Sequence, residues 1–228
     1  TGFSGSAGFC AVLPDVAGVF IDGRYRLQVR HEVAADFSPV HWPEVQLADW
    51  LKDNANANST IGFDPWLHTI SDIAAHRKGL SGTSIALQPI ANPVDQIWAD
   101  QPSAPMAPFT AHPLDLAGED HASKRSRLAA DLDADACVLT LPDSIAWLLN
   151  IRGNDVSKTP LVHGFAVLGA DARVNLFIAP SKVAGLGPDP SIDIAPPEDF
   201  LPALAKMTGK VRCDKTSVPV AVIHALQS

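Results

Sequence analysis

The stretch Cys10-Ala11-Val12-Leu13-Pro14-Asp15-Val16-Ala17-Gly18-Val19-Phe20-Ile21-Asp22-Gly23 decides how the chain is read. Two short apolar runs, 10–13 and 18–21, flank the turn pair Pro14-Asp15, which is the pattern of a β-hairpin. Asp22 then stands where a helix cap belongs, ahead of a helix expected over 23–36 with Leu27, Val33 and Ala34 on one face. Strands at 39–42, 60–63 and 84–87 alternate with helices at 45–54, carrying Leu47, Trp50 and Leu51, and from Asp64-Pro65 to Gly79. The latter pairs a capping residue with proline at the first helical position.

The second half repeats this order. A helix at 119–132, a strand at 137–141 and a short apolar helix at 143–150 come first. A hairpin then joins 162–168 to 174–179 around Ala170-Asp171, followed by a short helix near Ser181. A strand at 192–194, a helix over 197–207, a strand at 210–213 and a helix from Val218 complete it. Proline is dense between Asn92 and Leu116, in Gln101-Pro102-Ser103-Ala104-Pro105-Met106-Ala107-Pro108 and His112-Pro113, so an extended connector is expected there. Both halves read as hairpin, helix, strand, helix, strand, helix, but the opening helix, strand and helix of the second have no counterpart in the first. The expected fold class is therefore α/β: two similar domains, 1–112 and 113–228, each a mixed β-sheet flanked by helices, the first lacking its opening elements.

Composition narrows the function classes. Hydrophobic residues are 46% and charged residues 18% of the 228, enough for a sizeable core. No apolar run approaches the roughly 18 residues of a membrane span. Without such a run no membrane partner is expected; the net charge is -8 and both halves are acidic, so a nucleic acid is not an expected partner either. Cys10, Cys137 and Cys213 are odd in number and far apart, which fits neither a disulfide framework nor a thiolate zinc site and suits a reducing cytoplasm. Thr1 is not an initiator Met, and the chain reads as a piece of something longer.

The loops offer little chemistry. Thr1-Gly2-Phe3-Ser4-Gly5-Ser6-Ala7-Gly8 fits neither GxSxG nor a phosphate-binding pattern, and its glycines suit a tight backbone path entering the hairpin. Asp22-Gly23-Arg24-Tyr25 holds the single tyrosine; Asp22 needs nothing beyond capping, whereas Arg24 offers a planar donor for a carboxylate. The eight histidines form no HxxxH or HxH pair, so no metal site is expected, and no local signature supports a Ser-His-Asp or Cys-His arrangement, so no catalytic residue is expected either.

Taken together, TGFSGSAG at 1–8, Ile21-Asp22-Gly23-Arg24-Tyr25-Arg26-Leu27-Gln28, Gly62-Phe63-Asp64-Pro65, and Ile145-Ala146-Trp147-Leu148-Leu149-Asn150-Ile151-Arg152-Gly153-Asn154-Asp155-Val156 resemble the long-form Xaa-Pro aminopeptidases (aminopeptidase P) of the creatinase/prolidase metallopeptidase group. The last segment departs from the family pattern at Ser157-Lys158-Thr159-Pro160, where Pro160 matches and the family's preceding Asn does not.

The resemblance implies two creatinase N-terminal-like domains and a catalytic pita-bread domain that this sequence does not contain. That domain would hold two divalent metals, typically manganese, so no cofactor is expected on the present residues. It further implies a homodimer in which the first domain leans over the partner's active-site mouth. Phe3, Ser4, Ser6, Arg24 and Tyr25 would then lie near the peptide substrate across the dimer. The expected role is that of a non-catalytic region, serving dimerisation and active-site access, in an enzyme releasing the residue before proline. The alternatives are a free-standing binding or scaffold module of the same fold and a fragment of a creatinase-type amidinohydrolase. Trp147, Leu148, Leu149 and Ile151 read as core; Arg152-Gly153-Asn154-Asp155 could either cap the preceding helix or face the missing domain.

Overall fold

The computed structural model describes residues 1–183 and 187–228. Two compact units are present: Thr1–Phe63 with Asp72–Ile90, and Asp64–Ser71 with Ala91–Ser228.

In the first unit, β1 (Phe9–Val12) and β2 (Ala17–Ile21) form the expected hairpin, closed where the Leu13 amide donates to the Val16 carbonyl at 2.8 Å. β2 is buried throughout. The expected helix over 23–36 is shorter and broken: a 3-10 turn at Gly23–Tyr25, then α1 (Gln28–Glu32). Asp22 does cap it, but Val29 is the residue buried, while Leu27 is 71% exposed. β3 (Phe37–His41) lies parallel to β2, giving the order β1-β2-β3. α2 (Leu47–Asn54) buries Trp50 and Leu51, as its 3.6-residue pattern requires.

Two further strands, β4 (Thr60–Phe63) and, after α3 (Ile70–Gly79), β5 (Ala86–Pro89), form a separate parallel pair. One sheet face packs Phe20 and Val40 against Trp50 and Leu51; the other packs Val19, Ile21 and Val29. The period-2 alternation of β2 separates the two groups.

The second unit opens with α4 (Pro93–Ile97), β6 (Thr110–Ala111) and α5 (Leu114–Ala117), so the proline-rich connector is less extended than its composition suggests. Asn92 caps α4 and Pro93 sits at its start, where a missing N–H costs nothing. Then follow α6 (His121–Ala130), β7 (Ala136–Leu139), α7 (Pro142–Leu149), β8 (Ile151–Arg152), β9 (Phe165–Gly169), β10 (Val174–Phe177), a 3-10 turn at Pro180–Lys182, and β11 (Ile192–Ala195). A 3-10 turn at Pro197–Asp199 leads to α8 (Phe200–Leu204), then β12 (Val211–Arg212) and α9 (Val220–Leu226). The sheet order is β11-β10-β9-β7-β12, with β6 pairing β8 apart from it. One face carries Ile145, Leu148, Leu149 and Leu176; the other carries Phe177, Phe200 and Leu204.

The internal repeat is visible in detail. The Asp64 carboxylate accepts the Trp66 amide at 2.8 Å, and the Asp214 carboxylate accepts the Thr216 amide at 2.9 Å. Each turn follows a strand and precedes a helix, α3 at Ile70 or α9 at Val220. The two turns also bond reciprocally: the Ser71 amide to the Lys215 carbonyl, and the Ala221 amide to the Pro65 carbonyl, both at 3.0 Å. These bonds explain why α3 does not start at Pro65. The backbone of 64–69 is held in a turn by long-range partners that helix-start rules do not contain.

Candidate functional site

The five residues singled out at the N-terminus converge on one ledge. Phe3 meets the Tyr25 ring edge to face at 5.4 Å between centroids, and Ser6 Oγ lies 2.5 Å from Tyr25 OH. Arg24 bends back onto Asp22, donating through Nε and Nη2 at 3.0 and 2.6 Å, and its guanidinium sits 5.0 Å from the Tyr25 ring centre. The Asp22 carboxylate thus caps the turn and holds Arg24 at once, and the Arg24 hydrogen bonds hold it below the usual aspartate range. The carboxylate partner expected for Arg24 is therefore supplied internally, two residues away.

Ser4 is tied down by a residue that spacing rules did not single out. Glu32 accepts the Ser4 amide at 2.8 Å and the Ser4 hydroxyl at 2.9 Å, while Gln28 Nε2 donates to the same carboxylate at 2.9 Å. Gln28 and Glu32 are four apart on α1, hence on one helix face; that spacing was the available signal. The loop backbone must also approach closely. Gly2 has φ +83°, and a Cβ there would lie 2.5 Å from the Glu32 carbonyl oxygen; a Cβ on Gly8 would lie 2.9 Å from that of Phe20. Between the loop and the hairpin is a crevice of about 290 Å³ bordered by Phe3, Gly5, Ser6, Phe9, Cys10 and Val19.

The Ser4 amide, followed by Gln28, holds the Glu32 carboxyl below the ordinary glutamate range. A depressed native pKa means the clamp contributes at neutral pH and loses its contribution as pH falls through that lowered value. Glu32→Ala is expected to speed hydrogen exchange of the Ser4 amide several-fold at pH 7. The gap between variant and parent chain should close in acid; equal exchange in the two at pH 7 would show that the clamp is idle.

The apolar segment of the second unit is only partly core. Leu148, Leu149 and Ile151 are buried, but Trp147 is 46% exposed, with the Lys124 ammonium 4.5 Å from its ring centre. Lys124 is itself buried, donating to the Trp147 carbonyl at 3.0 Å and to Asn150 Oδ1 at 2.6 Å; burial pushes its pKa down. A cation on the last carbonyls of α7 is favourable to that helix end, and Asn150 closes it in the left-handed conformation at φ 51°. Arg152 adds a donor to the Ala146 carbonyl at 3.3 Å, so it caps the preceding helix. Asp155 instead turns inward, onto Lys182 and the His163 amide.

Among the described residues, no group of three or more His, Cys, Asp or Glu side chains is placed to hold a metal ion, and no helix is long and apolar enough to cross a membrane.

Comparison with known proteins agrees with the resemblance read from the motifs. Residues 1–97 and residues 100–228 each match the creatinase/prolidase N-terminal domain. Aminopeptidase P1 of Lotus japonicus is 35% identical over 189 residues, covering 81% of this chain and 29% of the relative. Aminopeptidase P2 of Arabidopsis thaliana is 30% identical over 244 residues, covering 100% and 34%. An X-prolyl aminopeptidase from Caenorhabditis elegans, described as a cytosolic enzyme with a di-nuclear active site, superposes with a TM-score of 0.86 at 26% identity over 97% of this chain and 39% of that one. The chain thus spans about a third of the length of these relatives and corresponds to their N-terminal portion. With two such domains in tandem, the chain belongs to the creatinase/prolidase N-terminal domain family.

Proposed function

We propose that this chain is the non-catalytic N-terminal region of a metal-dependent aminopeptidase that releases the first residue from peptides with proline second. The match of both halves to the family, in relatives named aminopeptidase P, carries this reading. Hydrolysis would fall to a further domain holding two divalent metals, manganese being the expectation. A cytoplasmic site of action fits the three free cysteines. The polypeptide carrying this chain together with its catalytic part, loaded with manganese, is expected to cleave Xaa-Pro peptides and to leave Xaa-Ala peptides intact. The 228-residue chain alone should cleave neither.

The same proposal gives the Phe3–Tyr25 ledge a role in access. In a homodimer it would border the partner's active-site mouth and admit slender peptide ends. Its support is a ledge whose parts fix one another, an arrangement that holds shape at an entrance. Replacing Phe3 and Arg24 together by alanine in the parent enzyme is expected to raise KM for longer Xaa-Pro peptides, with dimerisation intact. Unchanged kinetics across several peptides would sink the access role while leaving the peptidase reading untouched.

A further inference from the structure

β7 presents two unlike faces. Ala136 and Val138 are buried in the cluster that holds Phe200 of α8, whereas Cys137 and Leu139, which alternate with them, are only half-buried. Register extends this second face sideways. Cys137 lies opposite Leu168 of β9 and opposite Arg212 of β12, so the three side chains form a row across three neighbouring strands. Over that row, α6 and the residues after it bring Leu128, Asp131 and Leu132, spaced i, i+3 and i+4. α7 brings Asp143 and Ser144, with Trp147 and Leu148 one turn later. These groups enclose about 580 Å³. Interiors normally close such gaps, and a space of roughly 300–1,000 Å³ with apolar walls and a few placed polar groups is the usual form of a ligand site.

The walls are held from behind and the polar groups are not spent on one another. Trp147 carries the Lys124 ammonium 4.5 Å from its ring centre, and Lys124 is itself buried and fixed by the Trp147 carbonyl and Asn150 Oδ1. Among the described residues, the Arg212 guanidinium has no hydrogen-bond or ion-pair partner, and the Asp143 carboxylate accepts only the amide of its neighbour Ser144. The cavity continues past Cys137, Leu139 and Arg212 into a second space of about 360 Å³ that reaches Thr140 and Ser217, so the whole is elongated.

We propose that this groove binds a short peptide of apolar residues with both ends free, its C-terminal carboxylate on Arg212, its α-ammonium on Asp143, and its side chains among Leu128, Leu132, Leu139 and Trp147. The balance of charge selects this occupant. Arg212 shares the cavity with two carboxylates, those of Asp131 and Asp143. A fatty acid or other simple anion would gain the guanidinium and meet repulsion from both aspartates, and a simple cation would meet Arg212. An elongated zwitterion with an apolar body answers both signs and the apolar walls together.

The probe is the tripeptide Leu-Leu-Leu, titrated by calorimetry into the 228-residue chain. Saturable binding with a Kd below about 1 mM is expected. Amidating the peptide's C-terminus should weaken binding about tenfold, as should Arg212→Gln, and the variant should weaken the amide no further. N-acetylation of the peptide and Asp143→Asn should behave as a second matched pair. Location is read at the Cys137 thiol, whose alkylation should slow about fivefold or more on saturation, while Cys10, exposed on β1, reacts at an unchanged rate. The capped peptides are compared on the unaltered protein, so the outcome does not hang on the variants folding. No binding at about 10 mM peptide, equal affinity for the free and the doubly capped peptide, or binding that leaves Cys137 unprotected would each overturn the proposal. So would laurate binding more tightly than the peptide in an Arg212-dependent manner, which would make the occupant an amphipathic anion.

Discussion

Lys182→Met is expected to destabilise the second unit by about 3–5 kcal/mol, the loss typical when one partner of a buried ion pair is removed. Lys182 and Asp155 are 5% and 0% exposed at the side chain, with Nζ 2.6 Å from Oδ2. The same Oδ2 accepts the His163 amide at 2.7 Å, while Oδ1 is buried without a hydrogen-bond partner among the described residues. Methionine keeps the length of the lysine stem, so the variant removes the cation with little change in volume. What remains is a carboxylate held by one amide in a water-poor site, where an uncompensated charge is far more costly than the intact pair is favourable.

The double variant Lys182→Met, Asp155→Asn separates this account from simple loss of packing. The carboxamide introduced at position 155 keeps an oxygen for the His163 bond and carries no charge, so most of the stability should return. Hydrogen exchange of the slowest β9 and β10 amides reads both effects. Loss of less than about 1 kcal/mol in the single variant, or no recovery in the double, would refute the assignment.

That pair illustrates what sequence could and could not deliver. Asp155 lies in the Arg152-Gly153-Asn154-Asp155 stretch, which reads equally well as a helix cap or as a surface facing another domain. The structure divides it: Arg152 caps α7, and Asp155 anchors a loop to a lysine 27 residues further along. Nothing local marks Lys182 as that partner. The same holds at the N-terminus, where Glu32 reaches Ser4 over 28 residues.

By contrast, β1, β2 and β4 were legible within a residue or two, because alternation, turn pairs and flanking breakers are all local signals. The helix expected from Pro65 fell between these cases. Asp64 does start a turn, but the reciprocal bonds to Lys215 and Ala221 delay the helix to Ile70. Helix-start rules describe the capping residue and are silent about a distant strand of backbone that competes for the same carbonyls.

Phe200→Ala is the second large effect, expected to cost about 3–5 kcal/mol through lost apolar burial and the cavity left behind. Phe200 is fully buried at the start of α8. It stacks on Phe165 with centroids 4.4 Å apart and planes 6° from parallel, and lies 5.3 Å from Phe177 and 6.5 Å from Trp66. Its removal therefore takes a partner from β9, β10 and the Asp64–Ser71 turn together. Trp66 packs on Phe165 at 5.4 Å, so the turn should loosen along with the sheet face it rests on.

Phe200→Leu keeps most of the volume but not the stacking, and should cost less than about 1.5 kcal/mol. Two measurements distinguish a cooperative cluster from independent contacts. If the rings act as a unit, Phe200→Ala will speed exchange of the Leu67 amide, which closes the Asp64 turn at 3.1 Å, by a factor close to that seen at β9. A turn that keeps its protection while β9 loses its own would mean that the bonds to Lys215 and Ala221, rather than the aromatic cluster, hold Asp64–Ser71 in the second unit.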